Sequence, residues 1–351
     1  MTNALTASGV FGSLLSDPEI ASEFGATAFI ARMLEFEAAW TQALADCGVV
    51  TEQEANGALA AISAFSGASL GPGSDRDGVP VPALVAALKS GLDAGAARAV
   101  HTGTTSQDVV DTALILTCLS VLDRLSDRLG RVVAGLDAML TSTGDAPLMA
   151  RTRMQAALPA TVSLRLDAWR RPLADRLAQV ASLRAELAVV QIGGPIGLRD
   201  APHPHLVECA GKTADMLGLS LGPVWHADRS RIMALGHWLS LVAGSLGKVG
   251  QDVALMAQQG IDEIALTGGG GSSAMAHKQN PVSAEMLVAL ARFVAGQQGI
   301  LAQAMIHEQE RSGAAWAMEW LTLPSMAEAT GAALSHAERL IASIERIGTP
   351  D

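Results

Sequence analysis

Tyrosine is absent from this chain, and lysine nearly so: Lys89, Lys212, Lys248 and Lys278 stand against twenty arginines. Runs rich in valine, isoleucine and threonine with a period of two are also hard to find, which argues against a sheet-based fold. Cysteine occurs three times (Cys47, Cys118, Cys209), widely spaced and odd in number. That pattern offers no disulfide framework and no metal spacing, and it fits a reducing, cytoplasmic setting. Positive charge is in deficit. The formal net charge is −11, so neither nucleic acid nor an anionic membrane is an expected partner. No apolar run reaches the roughly 18 residues of a membrane span; in "SLVAGSLGKVGQDVALMAQQG", for example, Lys248, Gln251 and Asp252 interrupt it. The N-terminal "MTNALTASGV" lacks the basic and continuously apolar regions of a secretory signal.

What is present is helical periodicity. Between Thr105 and about Thr141, Leu122, Leu125, Leu129, Val132, Leu136 and Met139 recur at spacings of three and four. Similar stripes run from about Pro159 to Gln191, Asp228 to Gly260, Asn280 to about Ser312 and about Pro324 to Ile347. Five helices of roughly 25 to 35 residues exceed the globular mean of about 11–12 and specify an elongated bundle. The expected fold class is all-α: a five-helix bundle over 99–351, behind a small N-terminal helical domain over 1–98. The latter has shorter helices and a linker, "SGASLGPGSDRDGVPVP" (Ser66 to Pro82), rich in glycine, proline, serine and aspartate. Hydrophobic residues make up 49% of the 351, with mean hydropathy +0.30. Long helices this apolar imply burial against further copies of the chain. The helix after Asp228 carries Gly236, Gly244, Gly247 and Gly250. Each interior glycine costs about 1 kcal/mol relative to alanine, and a close helix crossing is the simplest compensation.

Polar islands interrupt this apolar pattern. In "HTGTTSQDVVDT" (His101 to Thr112), Thr105 and Asp108 form a T-x-x-D capping pattern. His101, Thr102, Thr104, Thr105 and Ser106 crowd hydrogen-bonding groups at one helix N-terminus, where anions are favoured. The stretch is either a plain cap or an anion site. In "ARTRMQAALPAT" (Ala150 to Thr161), Arg151, Arg153 and Gln155 are either solvated surface groups or a bidentate carboxylate clamp. In "GGGGSSAMAHKQNP" (Gly268 to Pro281), mobile glycine runs into Asn280 as helix cap and Pro281 at the first helical position. That suits a flap closing over a ligand; Lys278 and two serines are odd choices for a plain linker. Finally, "HEQERSGAAWAMEWLTLP" (His307 to Pro324) sets Arg311 among acidic residues and spaces Trp316 and Trp320 by one helical turn. Those tryptophans are either core or the wall of a site.

Together the islands resemble the three separated motifs of the fumarase/aspartase superfamily, over about 100 to 350. "GSSAMAHKQNP" is similar to the pattern G-S-S-x-M-x-x-K-x-N, "GTTSQD" to the first motif and "RTRMQAALP", loosely, to the second. Within that superfamily, "VWHADRSRI", "HEQERSGAAWAMEW" and "GVPVPALVAAL" look most like the branch of 3-carboxy-cis,cis-muconate cycloisomerases, which act in aromatic degradation.

The resemblance implies addition across, or elimination to, a carbon–carbon double bond beside a carboxylate. It also implies a homotetramer with shared sites, a di- or tricarboxylate substrate, and no metal or organic cofactor. By position in the motif, Ser272 aligns with the residue that exchanges the Cα proton, and Lys278 becomes the anion clamp beside it. His101, Thr105, Ser106, Arg151, Gln155, Asn280 and Arg311 are the expected substrate-binding residues. Two departures stand out. No histidine lies between His101 and His203, so the second motif's histidine acid does not carry over. The chain also ends where relatives begin a third, C-terminal domain, which is expected to be absent. His277 receives no role. Alternatives are a fumarate-releasing lyase such as adenylosuccinate or argininosuccinate lyase, and a sulfomuconate cycloisomerase. An inactive scaffold is a third, against which Ser272, Lys278 and Asn280 argue.

Overall fold

The computed structural model describes residues 9–66, 70, 74–199, 205–268, 270–271, 275 and 279–350. Short helices come first: α1 (Gly12–Leu15), α2 (Pro18–Glu23), α3 (Ala26–Asp46), α4 (Glu52–Ala64), α5 (Ser74–Asp77), α6 (Val81–Lys89) and α7 (Ala94–Ala99). The bundle follows: α8 (Ser106–Thr143), α9 (Val162–Ala178), α10 (Val180–Leu187), α12 (Ser230–Met256), α13 (Val282–Gln303) and α14 (Ala314–Ala342). A shorter α11 (Leu206–Met216) packs against α3. The fold is all-α in class, with small antiparallel ribbons at the ends of long helices.

Those ribbons are β1 (Pro147–Thr152) with β2 (Gln155–Thr161), β3 (Ile264–Leu266) with β6 (Ile344–Ile347), and β4 (Gly270–Gly271) with β5 (Gln279–Asn280). They correct three boundaries read from the sequence. The stripe from Pro159 does not begin a helix there: Pro159 sits in β2 opposite Met149, and the helix starts at Val162 and breaks at Gln179. Asn280 is not a helix cap but pairs with Gly270, leaving Pro281 at the cap position. The last helix begins ten residues before Pro324, which it contains, and yields to β6 after Ala342.

The stripe on α8 behaves as its spacing demands: Leu122, Leu125, Leu129, Val132 and Leu136 are all buried. Its first half differs, because from Gln107 to Leu119 every residue is buried. A helix enclosed on all sides must satisfy its polar residues internally. Three of the four α12 glycines, Gly236, Gly247 and Gly250, face α13, while Gly244 does not. A Cβ on Gly247 would stand 2.5 Å from the Ala291 Cβ, and one on Gly250 2.7 Å from the Leu287 Cβ. One on Gly236 would collide with Leu301. Removing these side chains lets the two backbones approach.

By length and composition α12 is apolar enough to cross a membrane, which corrects the reading that stopped at its charged residues. Its buried face, including Trp238, Leu239, Val242, Leu246 and Val253, belongs to the protein core. Met33, Phe36 and Trp40 of α3 join the same core as the bundle. Cys47, Cys118 and Cys209 are all free thiols; burial, with the neighbouring Cys47 thiol, pushes Cys209 up to about 12.

Candidate active site

The islands fold into two groups. At the first, the Thr105 amide donates to Asp108 Oδ2 at 3.0 Å, the reciprocal half of the expected capping box. Ser106 opens α8 behind it. Asp108 is fully buried and accepts three further bonds, from Gly193 N (2.8 Å), Gly194 N (2.9 Å) and His226 Nε2 (2.9 Å). Its carboxylate therefore pins the 192–197 loop onto the start of α8.

One turn further on, Asp111 meets Arg229. The guanidinium donates to Asp111 at 2.7 and 3.0 Å and to Glu319 at 2.7 and 2.6 Å. All three side chains are buried. Burial disfavours the charge of Arg229, but the two carboxylates outweigh it and hold its pKa above the ordinary value. Burial pushes Glu319 up, against the pull of Arg229. Trp316 Nε1 donates to Asp111 Oδ1 at 2.9 Å, so this tryptophan is both core and network. It meets Trp320 edge to face, centroids 4.7 Å apart. Gln107 donates to Asp111 at 3.1 Å and accepts from Arg311 Nε at 2.9 Å. Arg311 also donates to the Pro195 carbonyl at 3.2 Å. A continuous chain thus runs from Glu319 through Arg229, Asp111 and Gln107 to Arg311, beside His101, Thr105 and Ser106. His307, with both ring nitrogens buried and unpaired among the described residues, lies 3.9 Å from Glu319; burial and then Arg229 push it below its ordinary range.

The second group lies past the other end of α8. A helix of 38 residues spans about 57 Å at 1.5 Å per residue. Beyond it, the β1–β2 hairpin turns through Arg153 and Met154, with φ of 49° and 68°. Two non-glycine residues in the left-handed region are strained, as hairpin turns of this kind ordinarily use glycine or asparagine. Gln155 is exposed on β2. Arg151 pairs with the buried Glu263 and, with Arg165, Lys248 and Asp252, lines a cleft of about 390 Å³.

The glycine loop belongs to this same end. Its base is the β4–β5 ladder, pairing Gly270 with Asn280 and Gly271 with Gln279. The adjacent β3–β6 ribbon ties 264–266 to 344–347, and Thr349 N donates to the Pro147 carbonyl at 2.7 Å. Ser272, His277 and Lys278 lie outside the described residues. The structure therefore brings His101, Thr105, Ser106 and Arg311 to one end, and Arg151, Gln155 and Asn280 to the other. Among the described residues, no three His, Cys, Asp or Glu side chains cluster as a metal site would need.

The family model described as lyase matches residues 14–296. This chain belongs to the lyase family. As a member of the fumarase/aspartase superfamily, it shares 37% identity with a 3-carboxy-cis,cis-muconate cycloisomerase of Pseudomonas aeruginosa, over 89% of this chain and 70% of that protein. With the cycloisomerase of Acinetobacter baylyi it shares 32%, over 96% and 77%. The solved 3-carboxy-cis,cis-muconate lactonizing enzyme from Pseudomonas putida superposes with a TM-score of 0.88 at 32% identity, over 96% of this chain and 77% of that one.

Sequence reasoning did not single out Glu37, Asp111, Arg229 or Glu319 of this lyase-family chain. A signal existed for Asp111: Gln107 and Asp111 are four apart, on one face of the first turns of α8. For Glu37 and Glu319 there was none, since the partner of each arrives from far away in sequence.

Proposed function

We propose that this chain lactonises 3-carboxy-cis,cis-muconate to 4-carboxymuconolactone. The observation that carries the reading is the similarity to several cycloisomerases of that substrate along nearly the whole chain. In this reaction a substrate carboxylate oxygen adds to a carbon of the diene. The π pair moves to the carbon beside a second carboxylate, which becomes an aci-carboxylate, and that carbon then takes a proton. Intramolecular attack needs no external nucleophile, and holding the carboxylate in attack geometry supplies much of the rate.

In this reading Ser272 delivers the proton and Lys278 stabilises the developing negative charge. Thr105, Ser106 and His101 at the α8 N-terminus, with Arg311, hold one carboxylate end of the substrate; Arg151, Gln155 and Asn280 hold the other. One protomer cannot supply both groups across about 57 Å of α8, so each site is shared between copies in a homotetramer. Two features support association. Gly296 and Gly299 of α13 meet no described heavy atom within 4 Å, and Phe293 and Ile300 are exposed on the same helix. Glycine in an open helix face costs stability that only a second backbone packed there recovers. We place the enzyme in the cytoplasm, in keeping with its free cysteines.

The test is turnover of 3-carboxymuconate followed by loss of diene absorbance. A fumarate-releasing lyase would instead generate fumarate absorbance from a succinyl substrate and leave the muconate untouched.

A further inference from the structure

Glu37 lies fully buried on α3, and among the described residues its carboxylate pairs with no arginine or lysine. Its Oε1 stands 2.6 Å from His101 Nδ1, and its Oε2 is buried with no hydrogen-bond partner among the described residues. A half-satisfied buried carboxylate is costly, so its retention calls for a reason. His101 is unusual in its own right. Its φ is 60°, a left-handed conformation that a residue with a Cβ adopts at a cost of roughly 1–2 kcal/mol. The surrounding turn is held in place from α3: Trp40 Nε1 donates to the Thr102 carbonyl at 2.8 Å, and Thr41 Oγ1 to the Ala99 carbonyl at 3.3 Å. Glu37, Trp40 and Thr41 sit three and four apart, one face of one helix gripping residues 99–102.

The hydrogen bonds fix which nitrogen carries the proton. A carboxylate only accepts, so His101 Nδ1 donates to Glu37. The Thr104 contacts accommodate this tautomer. The Thr104 hydroxyl donates to the His101 carbonyl at 3.3 Å, which turns its lone pairs toward Nδ1 at 3.2 Å. Nε2 is then the free nitrogen. Among the described residues nothing hydrogen-bonds to it, and the side chain keeps 16% of its surface exposed. It stands beside the N-terminus of α8, on the group of residues that holds one carboxylate end in the function proposed above.

We propose that Glu37 is a positioning residue that holds His101 in the Nδ1–H form, and that His101 Nε2 carries the proton which lactonisation consumes. This rests on the reading of the preceding section. Adding a carboxylate to a double bond forms one C–O bond and one C–H bond, so one proton is taken up from solvent per turnover. No histidine of the second motif is present to relay it. His101, partly exposed and with its other nitrogen fixed, takes the proton from water at Nε2 and passes it to the group that protonates Cα. The Nδ1 hydrogen stays on Nδ1 throughout, facing Glu37.

Two measurements test this. The first is ¹⁵N spectroscopy of wild-type protein without substrate at about pH 9, with the His101 signals assigned by their loss in His101→Asn, asparagine being tolerant of positive φ. A protonated Nδ1 and bare Nε2 are expected; the opposite tautomer overturns the proposal. The second is kinetics of Glu37→Gln, His101→Asn and the double variant. Glu37→Gln lowers kcat by at least about tenfold with KM within about threefold, and the double variant is no slower than His101→Asn, because Glu37 acts only through His101. A double variant slower than His101→Asn by the full Glu37→Gln factor assigns Glu37 a purely structural role and overturns the proposal. Should the wild type leave 3-carboxymuconate unchanged, the proposed reaction fails, while the spectrum still decides the Glu37–His101 pair.

Discussion

Replacing Arg229 by methionine tests whether the buried network is a structural anchor for the first group of site residues. The guanidinium is 2% exposed and makes four short bonds to two carboxylates that are themselves buried. Methionine fills much of the volume but leaves Asp111 and Glu319 facing each other without a cation. Breaking a buried ion pair by removing one partner costs about 3–5 kcal/mol, and the like charges left behind place this case in the upper half. For a chain of 351 residues, the unfolding entropy is about 0.7 kcal/mol/K, so about 4 kcal/mol lowers Tm by about 5 °C in differential scanning calorimetry. Neutralising the carboxylates as well, in Asp111→Asn/Arg229→Met/Glu319→Gln, removes the stranded charges, while the single amide oxygen introduced at 111 keeps one of the two bonds that the Asp111 oxygens accept from Trp316 and Gln107. The triple variant therefore recovers part of the loss. A Tm for Arg229→Met within about 1 °C of wild type would refute the argument, as would a triple variant less stable than the single one.

Other outcomes follow from the same geometry. Ser272→Ala lowers kcat by about 10²-fold or more with the fold intact by circular dichroism, the range expected for loss of a proton-transfer group; near wild-type turnover removes Ser272 from the reaction. Gly250→Ala destabilises by about 1–2 kcal/mol in urea unfolding, because overpacking against α13 exceeds the helix-propensity gain of about 1 kcal/mol; a stabilised variant would mean that α12 and α13 separate readily. Gly296→Leu, on the open face of α13, dissociates the tetramer in light scattering if that face is covered by another copy, and an unchanged mass would place the interface elsewhere. Stability also depends on pH in a defined sense. Burial pushes His307 and His336 below the ordinary 6.5, helped by Arg229 for the first and Arg339 for the second, while the Leu14 carbonyl opposes the shift at His336. Below about pH 6.5 the unfolded chain binds more protons than the folded one, so this stability is complete above that value and lost as pH falls. Tm measured from about pH 7.5 to 5.5 falls, and falls less in His307→Gln/His336→Gln; equal slopes would refute the assignment.

How much of this was legible in the sequence depended on whether a residue's role is set locally or by a distant partner. The stripe on α8 could be read because its C-terminal half has one buried face, so spacing alone reports it. Gly236, Gly247 and Gly250 of α12 were legible for a similar reason: their cost in a helix interior demands a close neighbour, and α13 supplies it; Gly244, with none, follows no such rule. The hairpin at 147–161 was not legible. Its strands carry alanine, leucine and proline without alternation, and the pairing of Met149 with Pro159 exists only after the chain turns back at Arg153. The β3–β6 ribbon joins residues about eighty apart, beyond any local pattern. At the site, Thr105 and Asp108 were visible as a pair three apart. Glu319 was hidden, since one acidic residue in an apolar helix carries no meaning until Arg229 arrives from ninety residues away.

The placement of the two groups also constrains how copies must meet in the assembly proposed above. The first group precedes α8 and the second follows it, about 57 Å apart along that helix. In a closed assembly, the first group of one copy meets the second group of another when their bundles run antiparallel along much of their length. A two-fold axis perpendicular to the bundle does this and completes equivalent sites at both ends at once. The open glycines of α13 lie partway along the bundle, where such a crossing would bring backbones together. That arrangement also accounts for the division of labour between the ends. The first is rigid, with Asp108, Asp111 and Glu37 each buried and tied to partners. The second carries the strained hairpin turn at Arg153 and the β4–β5 ladder that pairs Gly270 with Asn280. In the proposed assembly, a substrate seated on the first group of one protomer meets Arg151, Gln155 and Asn280 of its neighbour, so that the two halves of each site belong to different chains.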